Sequence, residues 1–340
     1  MKNFLFVQTN NPAGNQILAY DRADTGALAL VQAIDTGGDG GVQTTIDPLD
    51  SQGSLIYDNP HRQLIAVNAG SNTVSVLSLD ANRLRLRQVL GSGGSFPVSV
   101  TVYGELLYVL NAHETGSISG FRLTGDRYSP IEGSTRSLEL TPVPGPTLSA
   151  NSPGQVGFTP DGRQLLITTK LNGGLIDVFS VDTDGRPSEN FVANFSQTQV
   201  PFGFTFDNYG RLAVTDAATS SLSTYTVNPD GTVVLIASQT DDGQAMCWVT
   251  QARGNLYVSD TGTSNLTGFR IDEAGKPTVF TKVDTNSGPI DLVATSNGQF
   301  LYVQTGGTGG VDGFSINPDG TLTRILTLSG LNGLEGIAAT

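Results

Sequence analysis

The chain has 340 residues, of which 42 are glycine, 38 % are hydrophobic and only 14 % are charged. That composition excludes disordered, collagen-like and long-helix proteins, which need, respectively, more charge, a strict glycine triplet, or far more Ala, Glu and Lys. No apolar run approaches the roughly 20 residues that span a bilayer, and a net charge of −13 sets up a field that repels nucleic acid and anionic lipid.

The chain opens on a strand-like run, Phe4-Leu5-Phe6-Val7, and runs of this kind then recur in pairs. The first member of each pair is rich in Val, Ile, Tyr and Leu and ends in a polar residue, at 4–9, 64–68, 107–111, 165–169, 212–216, 256–260 and 301–305. The second carries an aromatic residue or Leu at positions 20, 77, 121, 179, 225, 269 and 314. Successive spacings are 57, 44, 58, 46, 44 and 45 residues, and the four short ones match a four-stranded propeller blade. The two long spacings contain Gly/Thr/Pro/Ser-rich insertions at 37–53 and 137–152. Turn signals separate the strands, among them Pro160-Asp161-Gly162, Asp184-Gly185, Pro229-Asp230-Gly231 and Pro318-Asp319-Gly320. Asp and Gly tolerate the positive φ that tight hairpins require.

The opening run matches the second strand of a repeat, and the final segment 334–340 reads as a lone first strand. The sequence therefore predicts an all-β, single-domain chain (1–340). Its fold is a seven-bladed β-propeller of four-stranded antiparallel blades, the ring closed by pairing of the N- and C-terminal strands.

In such a ring, the loops from second to third strand and the connections between blades share one rim of the central channel. Ligand sites are expected there by analogy between propellers. Three candidate catalytic residues fall on that rim. His113 is a general base for water at neutral pH, Glu114 is its neighbour, and Lys170 is a holder for a carboxylate or an oxyanion. Candidate binding residues at the channel mouth are Ser54, Ser99, Gln155, Asp216, Asp260 and Asp291. The three aspartates also make a weak oxygen-ligand set for Ca²⁺; otherwise no cofactor or metal is expected. Cys247, between Met246 and Trp248, reads as a buried thiol. His61, in Asn59-Pro60-His61-Arg62, falls on the opposite rim and reads as a solvated turn residue. With one cysteine and an N-terminal apolar run too short for a secretory signal, the expectation is a cytoplasmic monomer.

The segment Pro153-Gly154-Gln155-Val156-Gly157-Phe158-Thr159-Pro160-Asp161-Gly162-Arg163 resembles the blade opening of the seven-bladed lactonase-type propellers. Leu107-Tyr108-Val109-Leu110-Asn111 and Cys247-Trp248-Val249 are similar to the same group, which includes the propeller 6-phosphogluconolactonases and the carboxymuconate-lactonising enzymes. The resemblance implies a propeller fold and sugar-lactone hydrolysis. Family members place His at channel-facing blade openings, where this chain has Ser99, Gln155, Gly203, Cys247 and Asp291, so no family catalytic residue carries over.

Two functions follow as expectations. One is a lactonase-like hydrolase whose partner is a small lactone at the channel mouth. The other is a non-catalytic propeller that binds a protein, peptide or glycan through its rim, with 37–53 and 137–152 as contact loops. Neither involves nucleic acid or a membrane.

Overall fold

The computed structural model describes residues 3–142, 148–331 and 333–340; part of the 137–152 insertion therefore lies outside the described residues. Blade 1 holds β1 (Asn3–Gln8), β2 (Gln16–Arg22) and β3 (Leu28–Asp35). Blade 2 holds β4 (Leu55–Asp58), β5 (Gln63–Asn68), β6 (Thr73–Asp80) and β7 (Arg83–Gly91). Blade 3 is β8 (Pro97–Tyr103), β9 (Leu106–Asn111), β10 (Ser117–Thr124) and β11 (Arg127–Pro130), and the short β12 (Arg136–Ser137) also pairs with β10. A single helical turn, α1 (Leu148–Asn151), leads into blade 4, made of β13 (Gln155–Phe158), β14 (Gln164–Thr168), β15 (Leu175–Ser180) and β16 (Val192–Phe195). Blade 5 is β17 (Pro201–Phe206), β18 (Leu212–Asp216), β19 (Ser221–Val227) and β20 (Val233–Thr240). Blade 6 is β21 (Met246–Ala252), β22 (Asn255–Asp260), β23 (Asn265–Ile271) and β24 (Pro277–Asp284). Blade 7 is β25 (Pro289–Ala294), β26 (Phe300–Thr305), β27 (Gly310–Ile316) and β28 (Leu322–Ser329). Each blade is an antiparallel meander, so the expected seven-bladed ring is present.

Finally, β29 (Ile337–Ala339) returns to blade 1 and pairs with β1, placing Phe6 opposite Ala338. The amide of Thr340 donates to Phe4 O at 3.0 Å, and the Phe4 amide donates to Thr340 Oγ1 at 2.8 Å. Closing the ring this way removes the exposed edge that an open array would present. No helix among the described residues is long and apolar enough to cross a membrane.

The repeat positions have a physical meaning. All seven aromatic or Leu residues (20, 77, 121, 179, 225, 269, 314) are buried. At Tyr20, Leu77, Tyr225, Phe269 and Phe314 the ladder to the outermost strand shifts register just before the repeat residue. A bulge there turns the outer strand and strengthens the local twist. Blades are also pinned to one another. Tyr108, Tyr257 and Tyr302 each donate a hydroxyl to the carbonyl of a turn glycine in the next blade: Gly185 (2.6 Å), Gly320 (2.7 Å) and Gly26 (2.8 Å). All three glycines have positive φ, which is why the Asp-Gly and related turn signals sit there.

The innermost strands β4, β8, β13, β17, β21, β25 and β29 surround the channel. Where Pro opens one of them (Pro97, Pro201, Pro289), it occupies the first strand position, where a missing N–H costs least.

Candidate functional site

The rim expected to carry the site is closed by the chain itself. Residues 42–53, between blades 1 and 2, form a strap that lies across the channel instead of projecting as a free contact loop. The strap holds its own shape through Gln43 N to Pro48 O (2.7 Å) and Thr44 Oγ1 to Asp47 O (2.7 Å). Beyond these internal bonds it reaches every blade other than blade 2, into which it leads. Ser51 Oγ donates to Val98 O in blade 3 at 2.8 Å, and Gln52 N donates to Gly154 O beside blade 4 at 2.9 Å. The Gln52 side-chain amide exchanges two bonds with the Val249 backbone of blade 6 (3.0 and 2.9 Å) and reaches Phe204 O of blade 5 at 3.5 Å. Trp248 Nε1 donates to Ser51 O at 2.8 Å. Ile46 packs on Gly306 and Gly288 of blade 7 so closely that a Cβ at Gly306 would strike the Ile46 carbonyl. Glu335, just before β29, accepts the amides of Leu49 and Ser51.

Lys170 is the strap's cationic anchor. It is 1 % exposed, with φ +52° at the end of a short rim loop. Its Nζ donates to Asp50 Oδ2 (2.7 Å), Asp50 O (2.6 Å) and Ser152 Oγ (3.1 Å), and lies 5.0 Å from the centre of the Phe202 ring. The expected open rim lysine is thus sealed beneath the strap, because Asp50 supplies the anion that a ligand was expected to bring.

Acidic groups crowd the same region. Glu335 and Asp47 share a side-chain hydrogen bond. Burial pushes Glu335 up to about 7 and raises Asp47 well above the carboxylate range, the Glu335 charge adding to the effect on Asp47. One proton held between them removes the repulsion that two buried carboxylates would otherwise suffer. Asp291 is also held well above its usual range, by burial first and the Glu335 charge second. The Cys247 thiol is buried, and burial, then the Asp50 charge, pushes it up.

The remaining candidates occupy separate places. His113 stacks on Phe96 with ring centres 4.1 Å apart; its Nε2 is buried without a hydrogen-bond partner, and burial lowers its pKa. Glu114 is exposed, and among the described residues no hydrogen bond or ion pair joins either residue to Lys170. Ser54 is buried with an unpartnered Oγ, whereas Ser99 Oγ donates to Gln52 O at 2.6 Å. Asp216 accepts from Ser196 (2.8 Å) and Ser223 (2.7 Å), and burial lifts it to about 6. Asp260 accepts from Thr267 at 3.2 Å and is lifted to about 8 by burial and by Asp241. The three aspartates do not converge, and among the described residues no group of three or more His, Cys, Asp or Glu is placed to hold a metal ion. Asp216 and Asp260 accept from hydroxyls of their own blades, and Asp291 from the amides of Leu292 and Ile337.

The channel opens at the other end. A cavity of about 650 Å³ enters between the first-to-second-strand turns of blades 2 to 5, with Gln52 of the strap and Gln155 among its lining residues. Gln155 Oε1 accepts from Phe204 N at 2.6 Å. Ile56, Val100, Val102, Val156, Phe158 and Phe204 give the walls an apolar face, and Tyr57, Thr101 and Thr205 contribute hydroxyls.

His61 sits in the expected turn on the opposite rim and there lines this cavity with Asp58. His61 Nδ1 is 2.6 Å from Asp58 Oδ2; the imidazole is 30 % exposed and the carboxyl side chain 5 %. The local sequence dictates this. Asp58 ends β4, Pro60 pre-sets the second turn position, and Arg62 N closes the turn on Asn59 O at 3.3 Å. Arg62 sits at φ +54° and its guanidinium donates to Leu79 O at 3.0 Å, locking the turn to β6. The i, i+3 spacing then brings the two side chains together. Where the Asp58 carboxylate accepts from Nδ1–H, Nε2 is the nitrogen left to accept a proton. The sequence signal was Asp-Asn-Pro-His, an acid three residues before a histidine across a proline turn.

No protein-family model matches the chain, and no curated protein sequence matches it. Solved structures match along its whole length. The periplasmic gluconolactonase of Pseudomonas aeruginosa superposes with a TM-score of 0.79 at 17 % identity, covering 98 % of this chain and 99 % of that one. The shared fold is a seven-bladed β-propeller. A Bacteroides fragilis protein provisionally assigned as a 6-phosphogluconolactonase gives 0.77 at 19 % identity, with coverage of 100 % and 98 %. A Lactobacillus plantarum protein gives 0.77 at 16 % identity, with coverage of 100 % and 99 %. At these identities the likeness is one of fold, and the chemistry has to be argued from this chain's own side chains.

Proposed function

We propose that the protein is a hydrolase that opens a small lactone in the open half of its channel, with His61 as general base and Asp58 as the residue that orients it. The observation that carries this reading is the 2.6 Å His61–Asp58 pair on the wall of the cavity that enters the channel. Structural neighbours named as lactonases support the reaction class. In the reaction, His61 Nε2 removes a proton from water as the water oxygen bonds to the ring carbonyl carbon. The tetrahedral intermediate then breaks the ring C–O bond, and the imidazolium returns the proton to the departing alkoxide, giving a hydroxy acid. Tyr57 and Asn59 lie on the same wall and carry donors for the developing oxyanion. Asp58 fixes the tautomer and steadies the imidazolium, the role of the acid in other His–Asp pairs.

The test is turnover of a panel of unphosphorylated γ- and δ-lactones by wild type, His61→Ala and Asp58→Asn, with folding checked by circular dichroism. His61→Ala is expected to lower kcat/KM by about 10²- to 10⁴-fold, with partial rescue by added imidazole. Wild-type protein inert on the whole panel, or His61→Ala as active as wild type, would sink the proposal.

A further inference from the structure

The cavity that holds His61 does not end at the channel wall. A second recess, about 890 Å³, lies on the same end of the molecule between blades 4 and 5. Phe206 lines both recesses, and the chain passes from Phe158 in the first directly to Thr159 in the second. Tyr103, 42 % exposed, stands on the divide: its ring centre is 5.6 Å from that of Phe158, and its ring packs against Gly162, where any Cβ would strike it. The divide is therefore a low aromatic sill of Tyr103, Phe158 and Phe206. Beyond it the groove is lined by Pro160, Val181, Val227 and Pro229, with Asp161, Arg163 and Asp182 at its polar edge.

Charge narrows what fits. Among the described residues no Lys or Arg lines the channel cavity, and Asp58 is its one carboxylate. A phosphorylated or carboxylated substrate would meet no cation there and would approach a protein of net charge −13. His61 lies on the blade 2 wall and Phe206 on the blade 5 wall, so a molecule in contact with both spans the mouth.

Resting on the hydrolase reading above, we propose that the two recesses are one site and that the substrate is an uncharged lactone bearing an aliphatic chain. The ring sits beside His61, and the chain crosses the aromatic sill into the groove between blades 4 and 5. Apolar contact with Phe206, Val181 and Val227 then supplies the binding energy that a phosphate would supply elsewhere.

The experiment measures kcat/KM for γ-lactones carrying no chain, then two-, four- and six-carbon chains, on wild type, Phe206→Ser and Thr183→Trp. Thr183 is exposed and lines the groove, so an indole there fills it without touching the core. Wild type is expected to gain about twofold per methylene, below the roughly fourfold of full burial because the groove is open on one side. The six-carbon lactone would then exceed the unsubstituted one by about sixtyfold. In both variants that ratio should fall to a few-fold. A kcat/KM independent of chain length in wild type, or an undiminished ratio in Thr183→Trp, overturns the extended site and leaves the hydrolase reading intact. If no lactone is turned over, the hydrolase reading fails, and calorimetry with the matching alkyl lactams decides the site alone. Affinity that rises with chain length and is lost in Thr183→Trp upholds it; absent or chain-independent binding overturns it.

Discussion

Replacing Lys170 with Met tests whether the strap is held by one buried cation. The substitution keeps length and apolar volume but removes three hydrogen bonds, to Asp50 Oδ2, Asp50 O and Ser152 Oγ. Removing one partner of a buried ion pair typically costs about 3–5 kcal/mol, because the other charge is left uncompensated. Here the Asp50 side chain is 18 % exposed and can recover some water, so about 2–3 kcal/mol is expected, concentrated in local opening of the strap. The protein carries its own reporter, since the single tryptophan, Trp248, donates its indole N–H to Ser51 O in the strap. In Lys170→Met, Trp248 emission should shift to the red and acrylamide quenching should rise, while the far-ultraviolet circular dichroism of the blades is retained. Asp50→Asn keeps the carbonyl acceptor and an amide oxygen, so it should produce a smaller shift of the same kind. If Lys170→Met has the emission, quenching and urea midpoint of wild type, Lys170 is not the anchor.

Three further outcomes follow from the same geometry. Glu335, Asp177, Asp216 and Asp260 are raised by burial to about 7, 7, 6 and 8 from ordinary values of 4.5 for Glu and 3.8 for Asp. The folded state therefore binds more protons than the unfolded chain. The stability these groups contribute is full below their ordinary values and is lost as pH rises through about 6–8, so Tm should fall between about pH 5 and pH 8.5. Glu335→Gln should flatten that slope, and a Tm that climbs over the interval would contradict the assignment. Gly306→Ala places a Cβ against the Ile46 carbonyl; faster amide exchange over 42–53, with the blade 7 strands unchanged, is the expected signature, and unchanged exchange would count against the contact. Removing residues 337–340 deletes β29 and leaves β1 paired with β2 alone, so loss of the single cooperative unfolding transition is expected in calorimetry.

The ring was legible because its cause is periodic. The buried repeat residues from Tyr20 to Phe314 recur every 44 to 46 residues except across the two insertions, and the turn glycines Gly162, Gly185, Gly231 and Gly320 all sit at positive φ. Closure was legible because Phe4–Val7 reads as a second strand with no first strand before it, and 334–340 as a first strand with no second after it. The strap was not. Residues 42–53 have no apolar period, and what seats them is a set of distant hydrogen bonds and packing contacts that no local pattern encodes. Lys170 could be placed on a rim loop, but the sequence does not say that Asp50, 120 positions earlier, will cover it. His61 could be placed in a turn of the opposite rim, but the sequence does not say that this turn also lines the channel cavity.

The strap also bears on how the molecule assembles. Its bonds span sequence separations of 197 residues to Trp248 and 284 to the Ser51–Glu335 contact. Such contacts carry a large loop-closure cost until the intervening chain has been organised. The seat for the strap exists only once blades 3 to 7 stand in their circle and β29 has brought Glu335 home. Residues 42–53 are made early in synthesis and come to rest last, so their docking marks the moment at which the circle is complete.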